Sequence, residues 1–121
     1  FIAIKKRKIK FNNYDYKKFL SIIKFKKNDF IYFDPPYLIS ASEYNKHWNE
    51  DMEHELLSTL DDLHSKKIKW ALSNVVVYRG KKNKILEKWM YKYNTHTIKS
   101  NYISFNDNTI KKFKEILITN Y

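Results

Sequence analysis

The feature that most restricts this chain is a pair of prolines set directly behind an apolar run. Residues 30–37 read Phe-Ile-Tyr-Phe-Asp-Pro-Pro-Tyr. The first four are aromatic or β-branched, as suits a buried strand. Proline has no amide hydrogen for a sheet ladder, and its ring fixes its own φ while restricting the residue before it. A strand over Phe30–Phe33 must therefore stop at Asp34. Asp34, the Pro35 carbonyl, Pro36 and Tyr37 then sit in a stiff loop at its carboxyl end, where open α/β sheets place their ligands. On the plainer reading, the aspartate only caps backbone in a Pro-Pro turn.

The rest of the chain alternates between the two regular periods. Ile9-Lys10-Phe11 is a weak strand candidate, and Phe19, Leu20, Ile22 and Ile23 give Lys17–Ile23 the spacing of a short helix. Asn49 suits a helix N-cap, Glu50 and Asp51 suit the positive end of the dipole, and Met52, Leu56, Leu60 and Leu63 form one apolar stripe. His54 and His64 fall off that stripe and read as solvated. Ile68–Leu72 is the next strand, and Ser73-Asn74 reads as its turn. Strand, helix and strand in that order imply a parallel βαβ unit, which brings the turn beside Asp34. Arg79-Gly80-Lys81-Lys82-Asn83 is a basic loop with the single glycine of the chain. Ile85, Leu86, Trp89 and Met90 give a further helix its apolar face, and Thr95–Ile103 and Glu115–Tyr121 read as two final strands.

Composition narrows the classes. A chain of 121 residues, 43% of them hydrophobic, suits one domain with one modest core. With no cysteine there is neither a disulfide framework nor a thiolate metal site, and the four histidines lack zinc-ligand spacing, so no metal is expected. No apolar run has the length of a membrane span or signal peptide, which makes a cytoplasmic setting the expectation. The absence of Met at position 1 suggests a start inside a longer reading frame. Net charge is +11, divided as +8 over residues 1–30, −3 over 31–80 and +6 over 81–121. Both ends thus favour a polyanion; a solvated lysine-rich surface is the alternative.

Asp34-Pro35-Pro36-Tyr37 behind an aromatic strand resembles motif IV of the amino-methyltransferases, which move a methyl group from S-adenosylmethionine (AdoMet) to an exocyclic amino nitrogen. Weaker matches follow in order. Asp15-Tyr16 is similar to the Asp-aromatic pair of motif III, which contacts the adenine of AdoMet, although Asp15 equally suits the N-cap of the next helix. Trp70–Val75 and the Leu-Ile-Thr-Asn-Tyr ending are also similar to the family's segments. From about Asn12 to Tyr121 the chain resembles the Dam-like adenine-specific DNA methyltransferases.

The resemblance implies an α/β, Rossmann-like AdoMet-dependent fold with a mixed sheet ending in an antiparallel hairpin. It implies catalytic roles for Asp34, Pro35, Pro36 and Tyr37, AdoMet contacts from Asp15, Tyr16 and Asp34, and a flipped adenine of duplex DNA held by Tyr37 and by Tyr44 of the following loop. Trp48, by contrast, reads as packing on the next helix. An adenine amino group is a poor nucleophile because its lone pair is delocalised into the ring. The Asp34 carboxylate and the Pro35 carbonyl can each accept one of its hydrogens and stabilise the charge that grows there, worth on the order of 3 kcal/mol per group. A flipped base also needs an aromatic face to replace lost stacking.

The family's glycine turn after the first strand, where the amino-acid part of AdoMet lies, is absent, and so is a separate target-recognition domain. Residues 1–121 are therefore expected to be the carboxyl-terminal part of a catalytic domain, inactive without an amino-terminal half and belonging to a restriction-modification type of enzyme. A related methyltransferase of RNA or protein glutamine, and an inactive basic nucleic-acid-binding remnant, are the alternatives.

Overall fold

The computed structural model describes residues 8–39, 47–98 and 113–121. The elements are α1 (Tyr16–Ile22), β1 (Phe30–Phe33), α2 (Glu50–Ser65), β2 (Lys69–Tyr78), β3 (Lys81–Lys82), α3 (Lys84–Met90), β4 (Asn94–Ile98) and β5 (Phe113–Thr119). The sheet runs β1-β2-β5-β4, with β3 also paired to β2. β1 is parallel to β2, and all other pairs are antiparallel. The expected βαβ unit and the closing antiparallel pair are both present, in a mixed α/β sheet.

Local chemistry accounts for the boundaries. Asn49 caps α2, its side chain accepting from the Met52 amide at 2.9 Å, and Glu50, Asp51 and Glu53 face the positive end of the dipole. The helix closes where Lys67 takes a left-handed φ of 62° and the Ile68 amide returns to the Leu63 carbonyl at 3.0 Å. Trp70, Leu72 and Val76 of β2 and Ile116 and Ile118 of β5 share the sheet face that meets Leu56, Leu60 and Leu63 of α2 and Leu86 and Trp89 of α3. Each such aliphatic side chain contributes about 1.5–3 kcal/mol on full burial. Trp70 stacks on Trp89 and donates its Nε1 hydrogen to the Leu60 carbonyl, so its polar edge is satisfied inside the core.

Two expectations about elements fail. Ile9–Phe11 is not a strand: residues 8–15 have no regular structure and Phe11 is almost fully exposed. Ser73-Asn74 is not a turn either. β2 runs straight through both residues to Tyr78 because each polar side chain finds a partner distant in sequence, Ser73 on one sheet face and Asn74 on the other. The chain turns instead at Arg79-Gly80, with φ of 48° and 78°. Positive φ at both central residues defines the tight hairpin turn that matches strand twist, and it requires glycine's freedom at the second position. The basic loop is therefore a β2–β3 hairpin. Of the strand expected over Thr95–Ile103, residues 95–98 lie in β4 and the remainder lies outside the described residues.

Candidate active site

β1 ends at Phe33, as the prolines require, and Asp34 emerges at the carboxyl edge of the sheet with its side chain exposed. The register pairs Phe33 with Leu72, so the next residues, Asp34 and Ser73, stand side by side. The Ser73 hydroxyl donates to Asp34 Oδ1 at 3.0 Å, and the Tyr37 hydroxyl donates to the same oxygen at 3.2 Å. The Tyr32 hydroxyl in turn donates to Ser73 Oγ at 2.8 Å. The direction of this relay is fixed by chemistry. A carboxylate only accepts, so Ser73 spends its one hydrogen on Asp34, and its remaining capacity is as an acceptor for Tyr32. Burial, and then the charge of Asp34, push the Tyr37 phenol up to about 12.

A second polar cluster lies on the opposite face of β2. Glu53 of α2 is wholly buried, yet both of its oxygens are used. Oε2 accepts from Trp48 Nε1 at 2.6 Å, and Oε1 accepts from Asn74 Nδ2 at 3.2 Å and Asn83 Nδ2 at 3.0 Å. Asn83 also caps α3 by accepting from the Leu86 amide at 3.0 Å. One carboxyl group thus ties Trp48 ahead of α2, the strand beside Asp34 and the return of the basic hairpin to a single point. Trp48 packs against the core, as expected.

The expected site residues divide into two groups. Asp34, Pro35, Pro36 and Tyr37 form one loop around the carboxylate. Asp15 and Tyr16 stand apart from it, at the start of α1. Asp15 occupies the N-cap position, but its side chain makes no capping bond, and the carboxylate is exposed. Tyr16 packs on the core beside Thr59 and Glu55 of α2, and burial followed by the Glu55 charge raises its phenol above the ordinary value. Tyr44 lies outside the described residues. Among the described residues no group of acidic or histidine side chains is arranged to hold a metal, and no helix is long and apolar enough to cross a membrane. His54 and His64 are exposed, although His64 sets its ring edge-on to Tyr93.

Sequence reasoning missed Tyr32, Ser73 and Glu53. Tyr32 reads as a strand aromatic and Ser73 as a turn residue, and Glu53 is not singled out at all. The signal for Ser73 is register, since a parallel neighbour whose strand does not stop must set a side chain beside Asp34. A groove of about 500 Å³ between α2 and α3, lined by His54, Asp61, Lys84, Lys88 and others, shares no residue with the Asp34 cluster.

The match to known families agrees with this geometry. The family described as D12 class N6 adenine-specific DNA methyltransferase matches residues 2–116. The chain belongs to that family. Similar curated proteins are the type II methyltransferase M.FokI of Planomicrobium okeanokoites, 43% identical over 78% of this chain, and modification methylase StsI of Streptococcus sanguinis, 39% identical over 92%. Modification methylase LlaI of Lactococcus lactis subsp. lactis is 34% identical over 93%. The chain spans only 16–18% of the length of these relatives. The Asp34 loop falls within the region matched by the family.

Proposed function

We propose that these residues carry the catalytic loop of a DNA adenine methyltransferase that transfers the methyl group of AdoMet to the exocyclic amino nitrogen of a flipped adenine. The observation that carries this reading is an exposed carboxylate, Asp34, held at the carboxyl edge of the sheet by the Ser73 and Tyr37 hydroxyls in a chain of this family.

Asp34 and the Pro35 carbonyl accept hydrogen bonds from the two amino N–H groups and stabilise the positive charge that develops on nitrogen as the N–C bond forms and the S–C bond breaks, after which the methylated nitrogen sheds one proton to solvent beside exposed Asp34. Ser73 fixes Oδ1 and so sets the rotation of the carboxylate, and Tyr32 fixes Ser73. Tyr37 offers its ring as the stacking face for the base, at about 1–3 kcal/mol. The phenol, pushed up to about 12, is protonated at working pH and well above it.

AdoMet, when bound, supplies an electrophilic methyl group on a sulfonium sulfur. The residues of this chain that would touch it are Asp15, whose exposed carboxylate is not spent on capping and suits a polar edge of the adenine moiety, Tyr16 and Asp34. The one glycine, Gly80, forms the hairpin turn and not a nucleotide turn. We therefore read the fold as the carboxyl-terminal part of a Rossmann-like catalytic domain. β1, one of the two edge strands of the described sheet, carries Phe30 and Tyr32 at 51% and 57% exposure and is the edge on which the remaining strands would pair.

The test is methyl incorporation by the full-length protein containing this sequence. Labelled AdoMet and an adenine-containing duplex should yield N6-methyladenine, with RNA and glutamine peptides as comparison substrates. Label in RNA or peptide but not in duplex would overturn the reading.

A further inference from the structure

β5 pairs with β2 from Ala71 to Tyr78 and so fills one edge of that strand. A strand has two edges. β1, paired at Lys69–Leu72, and β3, paired at Val77–Tyr78, must therefore lie along the other edge, one after the other. Asp34 stands at the level of Ser73 and Lys82 at the level of Val77, which at about 3.3 Å per residue places them roughly 13 Å apart along the strand. The basic hairpin thus lies beyond the carboxylate on the same edge of β2.

Its charge is concentrated. Arg79, Lys81, Lys82 and Lys84 are all exposed, and exposed Lys114 stands opposite Val77 on β5. Among the described residues the ion pairs are Lys17–Glu55, Lys66–Asp62 and Lys92–Asp61, so no described carboxylate neutralises any of these five cations. Glu115, opposite Val75, is the acid that shares this end of β5.

The hairpin is also built to hold still. The Asn83 amide returns to the Val76 carbonyl at 2.8 Å, and Asn83 Nδ2 is tied to buried Glu53. The Arg79 guanidinium lies 5.3 Å over the Tyr78 ring, and Tyr78 meets Phe113 edge-on at 6.1 Å. A hairpin backbone already held in place loses less freedom when it meets a ligand.

We propose that the β2–β3 hairpin grips the phosphodiester backbone of duplex DNA flanking the base presented to Asp34, with Arg79, Lys81 and Lys82 as the phosphate contacts. Duplex DNA is chosen over other polyanions on the strength of the proposed function; the charge, rigidity and position stand without it. Such contacts position the duplex and carry no base information.

The experiment uses the full-length protein, a fluorescein-labelled adenine-containing duplex and anisotropy titrations over a series of NaCl concentrations. Each phosphate contact contributes about 0.9 to the slope of log affinity against log salt. The triple variant Arg79→Gln, Lys81→Gln, Lys82→Gln should flatten that slope by about 2–3 and weaken binding at least tenfold at the lowest salt. A charge-matched triple at the opposite end of β2, Lys66→Gln, Lys67→Gln, Lys69→Gln, should leave the slope unchanged. Circular dichroism checks that both variants fold. An unchanged slope in the hairpin variant, or an equal loss in the control, overturns the proposal, as does a wild type that binds RNA but no duplex. Hairpin-dependent duplex binding by a wild type that transfers no methyl group supports the grip and retires the proposed reaction alone.

Discussion

Replacing Ser73 by alanine is predicted to slow methyl transfer without weakening the binding of either substrate. The substitution removes the 3.0 Å bond to Asp34 Oδ1 and the hydroxyl's interaction with the Tyr37 phenol, while the Tyr37 bond to Asp34 at 3.2 Å remains. A hydrogen bond to a charged acceptor is worth about 1.5–3 kcal/mol, or roughly 10- to 150-fold in rate if all of it is expressed in the transition state. Tyr37 still restrains the carboxylate, so the lower part of that range applies, about 10- to 30-fold in kcat. Tyr32→Phe removes only an ordinary neutral bond one step further out and should cost about 2- to 10-fold. Tyr32 acts through Ser73, so the double variant should be no slower than Ser73→Ala alone. Ser73→Thr keeps the hydroxyl and should recover most of the rate. The assay is steady-state methyl incorporation by the full-length protein, with KM measured for AdoMet and duplex. Multiplied losses in the double variant, or a Ser73→Ala kcat within threefold of wild type, would refute the relay.

Tyr37→Phe should keep most activity, whereas Tyr37→Ala should lose about 1–3 kcal/mol of stacking in kcat/KM; because the phenol is raised to about 12, a descending limb near pH 10, the ordinary tyrosine value, that vanished in Tyr37→Phe would contradict this. Glu53→Ala strips the acceptor from Trp48, Asn74 and Asn83. At about 1–3 kcal/mol per stranded donor, less what entering water returns, urea denaturation should show a loss on the order of 3–5 kcal/mol, and a loss below about 1 would be inconsistent. At Asp61, burial alone would raise the carboxyl, but bonds from Tyr93, Lys92 and Trp89 outweigh it and hold the group below its ordinary 3.8. A carboxyl depressed by folding adds stability above its unfolded value and loses it as pH falls through the folded one. Asp61→Asn should therefore lower Tm at neutral pH, with the gap to wild type narrowing below about pH 4; a gap constant with pH would sink this.

What could be read from the sequence was whatever is set by neighbours along the chain. The prolines end β1 where they stand, Asn49 caps α2, and the stripe from Leu56 to Leu63 finds the sheet. Serine and asparagine ordinarily favour turns because their side chains bond to nearby backbone. At Ser73 and Asn74 the winning partners are Asp34 and Glu53, 39 and 21 residues away, and no local pattern announces them. Glu53 escaped notice for the same reason, since its partners Asn74 and Asn83 lie 21 and 30 residues away. The hairpin was half legible. Its glycine and its charge were plain, but its position beyond Asp34 follows only from β5 filling the other edge of β2.

The most direct test is the single-turnover rate of Asp34→Ala in the full-length protein, with AdoMet and an adenine-containing duplex both saturating. A lone acceptor at a nitrogen that gains charge is worth at least about a hundredfold in rate, so the variant should fall by that much or more while AdoMet affinity changes far less. A fall of less than tenfold would show that Asp34 is not the acceptor at the reacting nitrogen.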